Sequence, residues 1–195
     1  MSKNLRVMMA AKAGTIDTIR PMVTGNPQLI GSAASSAARH GNLALLQALW
    51  SDVPDASTHA CLKGAARQGF PDCVRWLLDA GLPVDGVEED DSPLLSTCQY
   101  ASPEQAGPCL ESIELLLGAG CDVHRSDRAG MTPIMHLAMS GWSAAAVERL
   151  LAAGADPFAT DNQGRSAIDL VSLSFKSRDK SAIEATLAKA GNHHS

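Results

Sequence analysis

The chain has 195 residues, 45% hydrophobic and 19% charged, with a mean hydropathy of −0.02. That length makes one domain or a short array of small units, and the composition can bury a core, which excludes wholesale disorder. Lys and Arg number 16 against 21 Asp and Glu, so the net charge is −5 and the basic field of a dedicated nucleic-acid binder is missing.

Aromatic residues are only 4%, while alanine and leucine, both helix formers, are plentiful. No apolar run approaches the roughly 18 residues of a membrane span. The five cysteines, Cys61, Cys73, Cys98, Cys109 and Cys121, are odd in number, scattered and free of any C-x-x-C pair. That pattern predicts reduced thiols and a cytoplasmic protein rather than a disulfide framework.

Two series of short motifs alternate along the chain. The first is Ala10-Ala11-Lys12-Ala13-Gly14, then Ala37-Ala38-Arg39-His40-Gly41, then Ala65-Ala66-Arg67-Gln68-Gly69. Pro21 falls inside the predicted second helix of the first unit and predicts a short or kinked helix there. The first two glycine-to-glycine intervals are short, so the first two junctions lack room for a hairpin. The polar stretch Ser51–Ser57 is turn-rich, as such a junction requires.

The second series is Leu77-Leu78-Asp79-Ala80-Gly81, Leu116-Leu117-Gly118-Ala119-Gly120 and Leu150-Leu151-Ala152-Ala153-Gly154, with a degenerate copy at Leu187–Gly191. These glycines sit where a left-handed cap ends a helix. One series joins two helices and the other ends a pair, which describes a repeated helix–turn–helix unit. Between the third and fourth units the chain is too long, and the surplus falls on a proline- and glycine-bearing loop, 102–108. Another surplus lies at Ser174–Lys180.

The stretch Asp127-Arg128-Ala129-Gly130-Met131-Thr132-Pro133-Ile134-Met135 resembles the opening of an ankyrin repeat, and Ala138 to Asp156 completes that unit. A further copy opens at Asp161-Asn162-Gln163-Gly164-Arg165-Ser166. The resemblance implies an all-α ankyrin-repeat solenoid of five to six stacked helix–turn–helix units, with short β-hairpin fingers in the C-terminal half. The expected units are 3–26, 29–53, 57–85, 87–124, 125–158 and a C-terminal cap at 159–191, all in a single domain spanning 1–195. Stability should come from stacking of neighbours, since no unit can bury its apolar face alone.

The search for chemistry is thin. His40, His59, His124 and His136 fall in different units without metal-ligand spacing, so neither a metal nor a cofactor is expected. The cysteines read as buried inert thiols. A rival enzyme reading would need a thiol of strongly lowered pKa near Cys98, Cys109 and the 102–108 insertion.

Binding is better signposted. The resemblance implies that the residues before each inter-helix glycine face a concave surface. They are Lys12 and Ala13, Arg39 and His40, Arg67 and Gln68, Gln99 and Tyr100, and Met139 and Ser140. Lys12, Arg39 and Arg67 would stack as a basic ladder at about 10 Å, the spacing of packed helices. The acidic run Glu88-Glu89-Asp90-Asp91 would form a finger tip able to steer a basic partner. Arg128 and Met131 would belong to the next finger. Phe70 and Trp142 read as exposed aromatics near the turn edge, Tyr100 as an interface anchor, and Trp50 and Trp76 as core.

Together these readings predict a non-enzymatic protein-binding module, monomeric when free, that docks one protein partner and neither nucleic acid nor membrane. Arginine in excess of lysine is compatible with a GC-rich bacterial genome. Small bacterial ankyrin proteins include immunity proteins, so the narrower expectation is an inhibitor of a toxin or enzyme with a mixed or basic surface. A scaffold or chaperone-like adaptor is the alternative.

Overall fold

The computed structural model describes residues 2–86, 92–100, 103–173 and 179–191. Its helices come in pairs: α1 (Lys3–Ala11) with α2 (Ile16–Val23), α3 (Pro27–Arg39) with α4 (Leu43–Leu49), and α5 (Asp55–Arg67) with α6 (Pro71–Asp79). Then follow α7 (Pro93–Tyr100) with α8 (Ala106–Gly118), α9 (Pro133–Ser140) with α10 (Ala144–Ala152), and α11 (Ala167–Leu173) with α12 (Lys180–Gly191). The first helices α1, α3, α5, α7, α9 and α11 form a row, each packed on the next. The second helices pack behind them, α2 on α4, α6 on α8, α8 on α10 and α10 on α12.

Small residues make that row possible. In α3, Ala33, Ala34, Ala37 and Ala38 have no exposed surface. With only a methyl to accommodate, α1 and α5 approach closely enough for Ser36 Oγ to donate to Met8 O at 2.7 Å. The second helices bring bulk: Leu45, Leu46 and Leu49, then Val74 and Leu77, then Ile113 and Leu116, then Val147 and Leu150. Each such side chain contributes roughly 1.5–3 kcal/mol on leaving water. The α2 helix carries Pro21 within it and runs for only eight residues, ending where Thr24 N and Oγ1 both donate to Arg20 O.

The junctions differ along the chain. Residues 24–26 alone separate α2 from α3, and α4 reaches α5 through one tight turn at Trp50–Asp52. Later junctions are longer, but no strand is present among the described residues, so the expected β-hairpin fingers take another form. The two fingers before α9 and α11 are each a turn built on one aspartate. Asp127 Oδ1 accepts from Ala129 N and Met131 N, and a single backbone bond, Asp127 N to Met131 O, closes the turn. The carboxylate takes N–H groups that a ladder would need. Asp161 repeats the pattern with Gln163 N and Arg165 N, closed by Asp161 N to Arg165 O. The two fingers are tied together, because Asn162 donates through N to Ala129 O and through Nδ2 to Arg128 O, each at 2.9 Å.

The surplus expected as a loop at 102–108 is instead largely helical. Pro103–Gln105 form one tight turn and α8 begins at Ala106, running 13 residues against nine in α6 and α10. Gln105 Nε2 donates to Gln68 O at 3.2 Å, fastening this extension to the preceding pair.

Candidate interaction surface

The α5 helix shows how the exposed edge of the first-helix row is made. Cys61, Leu62, Ala65 and Ala66 are fully buried on one side. One turn apart on the other side, Ala60, Lys63, Gly64 and Arg67 share a face, as their spacing of three and four demands. Together with Arg39 from the last turn of α3, Gln68, and Ser96 of α7, they line a notch of about 120 Å³. Arg39 lies over Gly64, where an added Cβ would sit 3.6 Å from Arg39 Cβ and 3.9 Å from its Nε.

Arg67 and Tyr100 belong together. The Arg67 guanidinium carbon stands 3.8 Å from the centre of the Tyr100 ring, a cation–π stack worth about 0.5–1 kcal/mol at a partly exposed site. Tyr100 is 51% exposed. Arg67 Nε is buried without a hydrogen-bond partner among the described residues. His40 is exposed at the end of α3, its Nδ1 2.8 Å from Ser36 O. Gln99 is half-buried, and Met139, at the same end of α9, is 44% exposed. Lys12 is exposed at the end of α1 but lines no part of the notch shared by Arg39 and Arg67. The Lys12 end of the ladder is separate from the cationic cluster.

Several expected site residues lie elsewhere. Met131, expected on the finger tip, is instead 6% exposed and part of the core, while its N–H donates to Asp127 Oδ1. Arg128 is exposed on the finger turn. Glu88, Glu89, Asp90 and Asp91 lie outside the described residues.

Phe70 and Trp142, expected as exposed aromatics, instead reach back over the preceding helix pair. The Phe70 ring covers Gly41, whose φ is +73°, and a Cβ added there would collide with the ring. Trp142 is buried and its Nε1 donates to Cys98 O at 3.4 Å. Asn42, at the equivalent place, donates through Nδ2 to Ala11 O and Gly14 O. The residue after the inter-helix glycine is therefore a latch onto the previous pair, which draws its side chain out of solvent. Trp50 and Trp76 meet edge-on at 5.2 Å between ring centres, both packed against the core.

The five cysteines are free and buried. Burial pushes Cys61, Cys73 and Cys109 up to about 11 and Cys121 up to about 12, and raises Cys98 well above its ordinary value. The activated thiol that an enzyme around Cys98 and Cys109 would need is not what these environments make. Among the described residues, no three His, Cys, Asp or Glu side chains group to hold a metal ion, and no helix is long and apolar enough to cross a membrane.

One polar contact escaped the sequence reading. His136 is 2% exposed, and its Nε2 lies 2.9 Å from Asp127 Oδ2, joining α9 to the finger turn. Nδ1 is buried without a partner among the described residues. The arrangement suits the neutral ring with its proton on Nε2, since a second proton would bury an unpaired N–H. Burial lowers the His136 pKa, with Asp127 pulling the other way. Only the nine-residue interval between Asp127 and His136 hinted at this pair.

Comparison with known proteins matches the ankyrin repeats (many copies) family over residues 115–171. Residues 115–171 carry ankyrin repeats. No curated protein matches the chain. The matched span runs from α8 through the Asp127 and Asp161 finger turns into α11. Ankyrin repeats generally serve as protein–protein interaction modules and are generally non-enzymatic. Arg39, His40, Arg67, Gln68, Tyr100 and Met139 are exposed or half-exposed at the ends of successive first helices, whose opposite sides are buried.

Proposed function

We propose that this protein is a non-enzymatic ankyrin module that docks one partner protein on the exposed edge of its first-helix row. The observation that carries the reading is the run of exposed or half-exposed polar and aromatic side chains at the ends of successive first helices, from Arg39 and His40 through Arg67 and Gln68 to Tyr100 and Met139. Tyr and Arg are the residue types that dominate interface energies, and here one Arg is already stacked on the Tyr. The whole chain acts as one domain and a monomer, and five free buried thiols suit a reducing cytoplasm.

The narrower form is a bacterial immunity or inhibitor protein for a toxin or enzyme. The net charge of −5 supports it, together with the acidic run at Glu88–Asp91, which would speed encounter with a basic surface. The test is quantitative capture from the source cells with Tyr100→Ala/Met139→Ala beside Arg75→Ala, which lies on α6. One stoichiometric partner retained by Arg75→Ala and lost by the double variant is expected. Equal retention by both would move the contact off the first-helix edge and defeat the reading.

A further inference from the structure

The notch brings the guanidinium groups of Arg39 and Arg67 to one small place, and among the described residues no acidic side chain lines it. Three arginines elsewhere are matched: Arg75 with Glu111 at 3.2 Å, Arg149 with Glu114 at 2.7 Å, and Arg165 with Asp161 at 2.6 Å. Arg39 and Arg67 form no ion pair among the described residues. Arg67 Nε is buried with no acceptor among them. Holding like charges together costs free energy, and an anion seated in the notch would relieve it.

We propose that this notch is a carboxylate-binding subsite, which receives an Asp- or Glu-bearing segment of the partner protein. The inference rests on the docking reading and names the partner's chemistry at that edge. Stacking on Tyr100 fixes the plane of the Arg67 guanidinium, and a guanidinium offers a carboxylate paired N–H donors in that plane. Arg39, held over Gly64 by the missing side chain, closes the notch from the neighbouring helix. Ala60 and the exposed part of Tyr100 give apolar support for the backbone that carries the carboxylates. A short acidic segment needs only this local patch. A nucleic acid spreads its charge along its length, against a protein of net charge −5.

The test uses the full chain and a fluorescein-labelled hexaglutamate peptide, read by fluorescence anisotropy at low and moderate NaCl. Saturable binding that weakens as salt rises is expected, with affinity reduced at least about tenfold in Arg39→Ala/Arg67→Ala. Arg39→Lys/Arg67→Lys keeps the charge but not the fork and should fall between the two. Arg75→Ala/Arg149→Ala removes as much charge elsewhere and should bind like the parent. Circular dichroism establishes that each variant is folded. Arg39→Ala alone, at an exposed position, supplies the comparison should the double variant unfold.

Absence of saturable binding overturns the proposal, and so does equal loss in the Arg75/Arg149 control. Displacement of the peptide by inorganic phosphate or oligothymidylate at lower concentration than by unlabelled hexaglutamate overturns the carboxylate assignment. A partner captured through Tyr100 and Met139 but indifferent to Arg39→Ala/Arg67→Ala overturns this subsite and leaves the docking reading standing.

Discussion

The two ends of the stack are held together by different means. From α1 to α5 the junctions are tight turns, and the pairs meet through alanine-lined helix faces with few side-chain links, such as Ser36 to Met8 O and Asn42 to Gly14 O. From α9 to α11 a second layer is added: Asp127 and Asp161 each organise a finger turn, and Asn162 ties one finger to the other. The apolar core is continuous through both ends. Helix packing alone therefore suffices to stack these units, and the fingers add polar order on top of it.

The largest test of that comparison is to remove equal bulk from both ends. Leu46→Ala and Leu150→Ala, each at a fully buried site, should each cost about 2–5 kcal/mol in urea unfolding. A cost at Leu46 far below that range would mean the finger-poor end is loosely packed. Next comes the polar layer. Asp127→Ala strips the acceptor from Ala129 N, Met131 N and His136 Nε2 and should cost about 1–3 kcal/mol, with amide exchange rising in the finger turns while α3 is unchanged. Uniform exchange across the chain would contradict a separate finger layer.

A smaller effect is pH-dependent. The folded pKa of His136 lies below its ordinary 6.5, so the unfolded chain binds the extra proton more readily. Its contribution is therefore intact above pH 6.5 and is lost as pH falls from there through the lowered folded value. Thermal melts should show stability dropping over that window, and His136→Gln should flatten the drop; an unchanged slope would remove His136 as its source. Smallest of all is Arg75→Ala. Both ends of its ion pair are about half exposed, at 54% and 50%, so the variant should stay within about 1 kcal/mol of the parent in the same unfolding experiment.

The helix pairs were legible in the sequence because their signals are local and repeated. Gly41, Gly69, Gly81, Gly120, Gly141 and Gly154 all adopt positive φ, as inter-helix turns and left-handed caps require. Buried Ala-Ala pairs and Leu-Leu pairs likewise follow from spacing along one helix. What stayed hidden depends on the next unit. Phe70 and Trp142 read as exposed because nothing in their own unit covers them; the preceding pair does. Met131 occupied a plausible tip position, but its side chain packs into the core shared with neighbouring units. The cationic notch needed α3 and α7 beside α5 before Arg39, Lys63, Arg67 and Tyr100 could be seen as one group, although the 60, 63, 64, 67 spacing on α5 was already visible.

The latch position after each inter-helix glycine bears on how such a chain can be rearranged. Repeat proteins are commonly treated as strings of exchangeable beads. Here each bead fits its predecessor by a different chemistry: an amide reaching carbonyls at Asn42, a ring seated on a bare glycine at Phe70, an indole N–H donated across the seam at Trp142. Moving the unit that carries Phe70 behind any unit lacking a glycine at the Gly41 place would drive the ring into a side chain. The order of the units is thereby written into their seams, and duplication, deletion or shuffling of one unit has to be matched by a change in the unit before it.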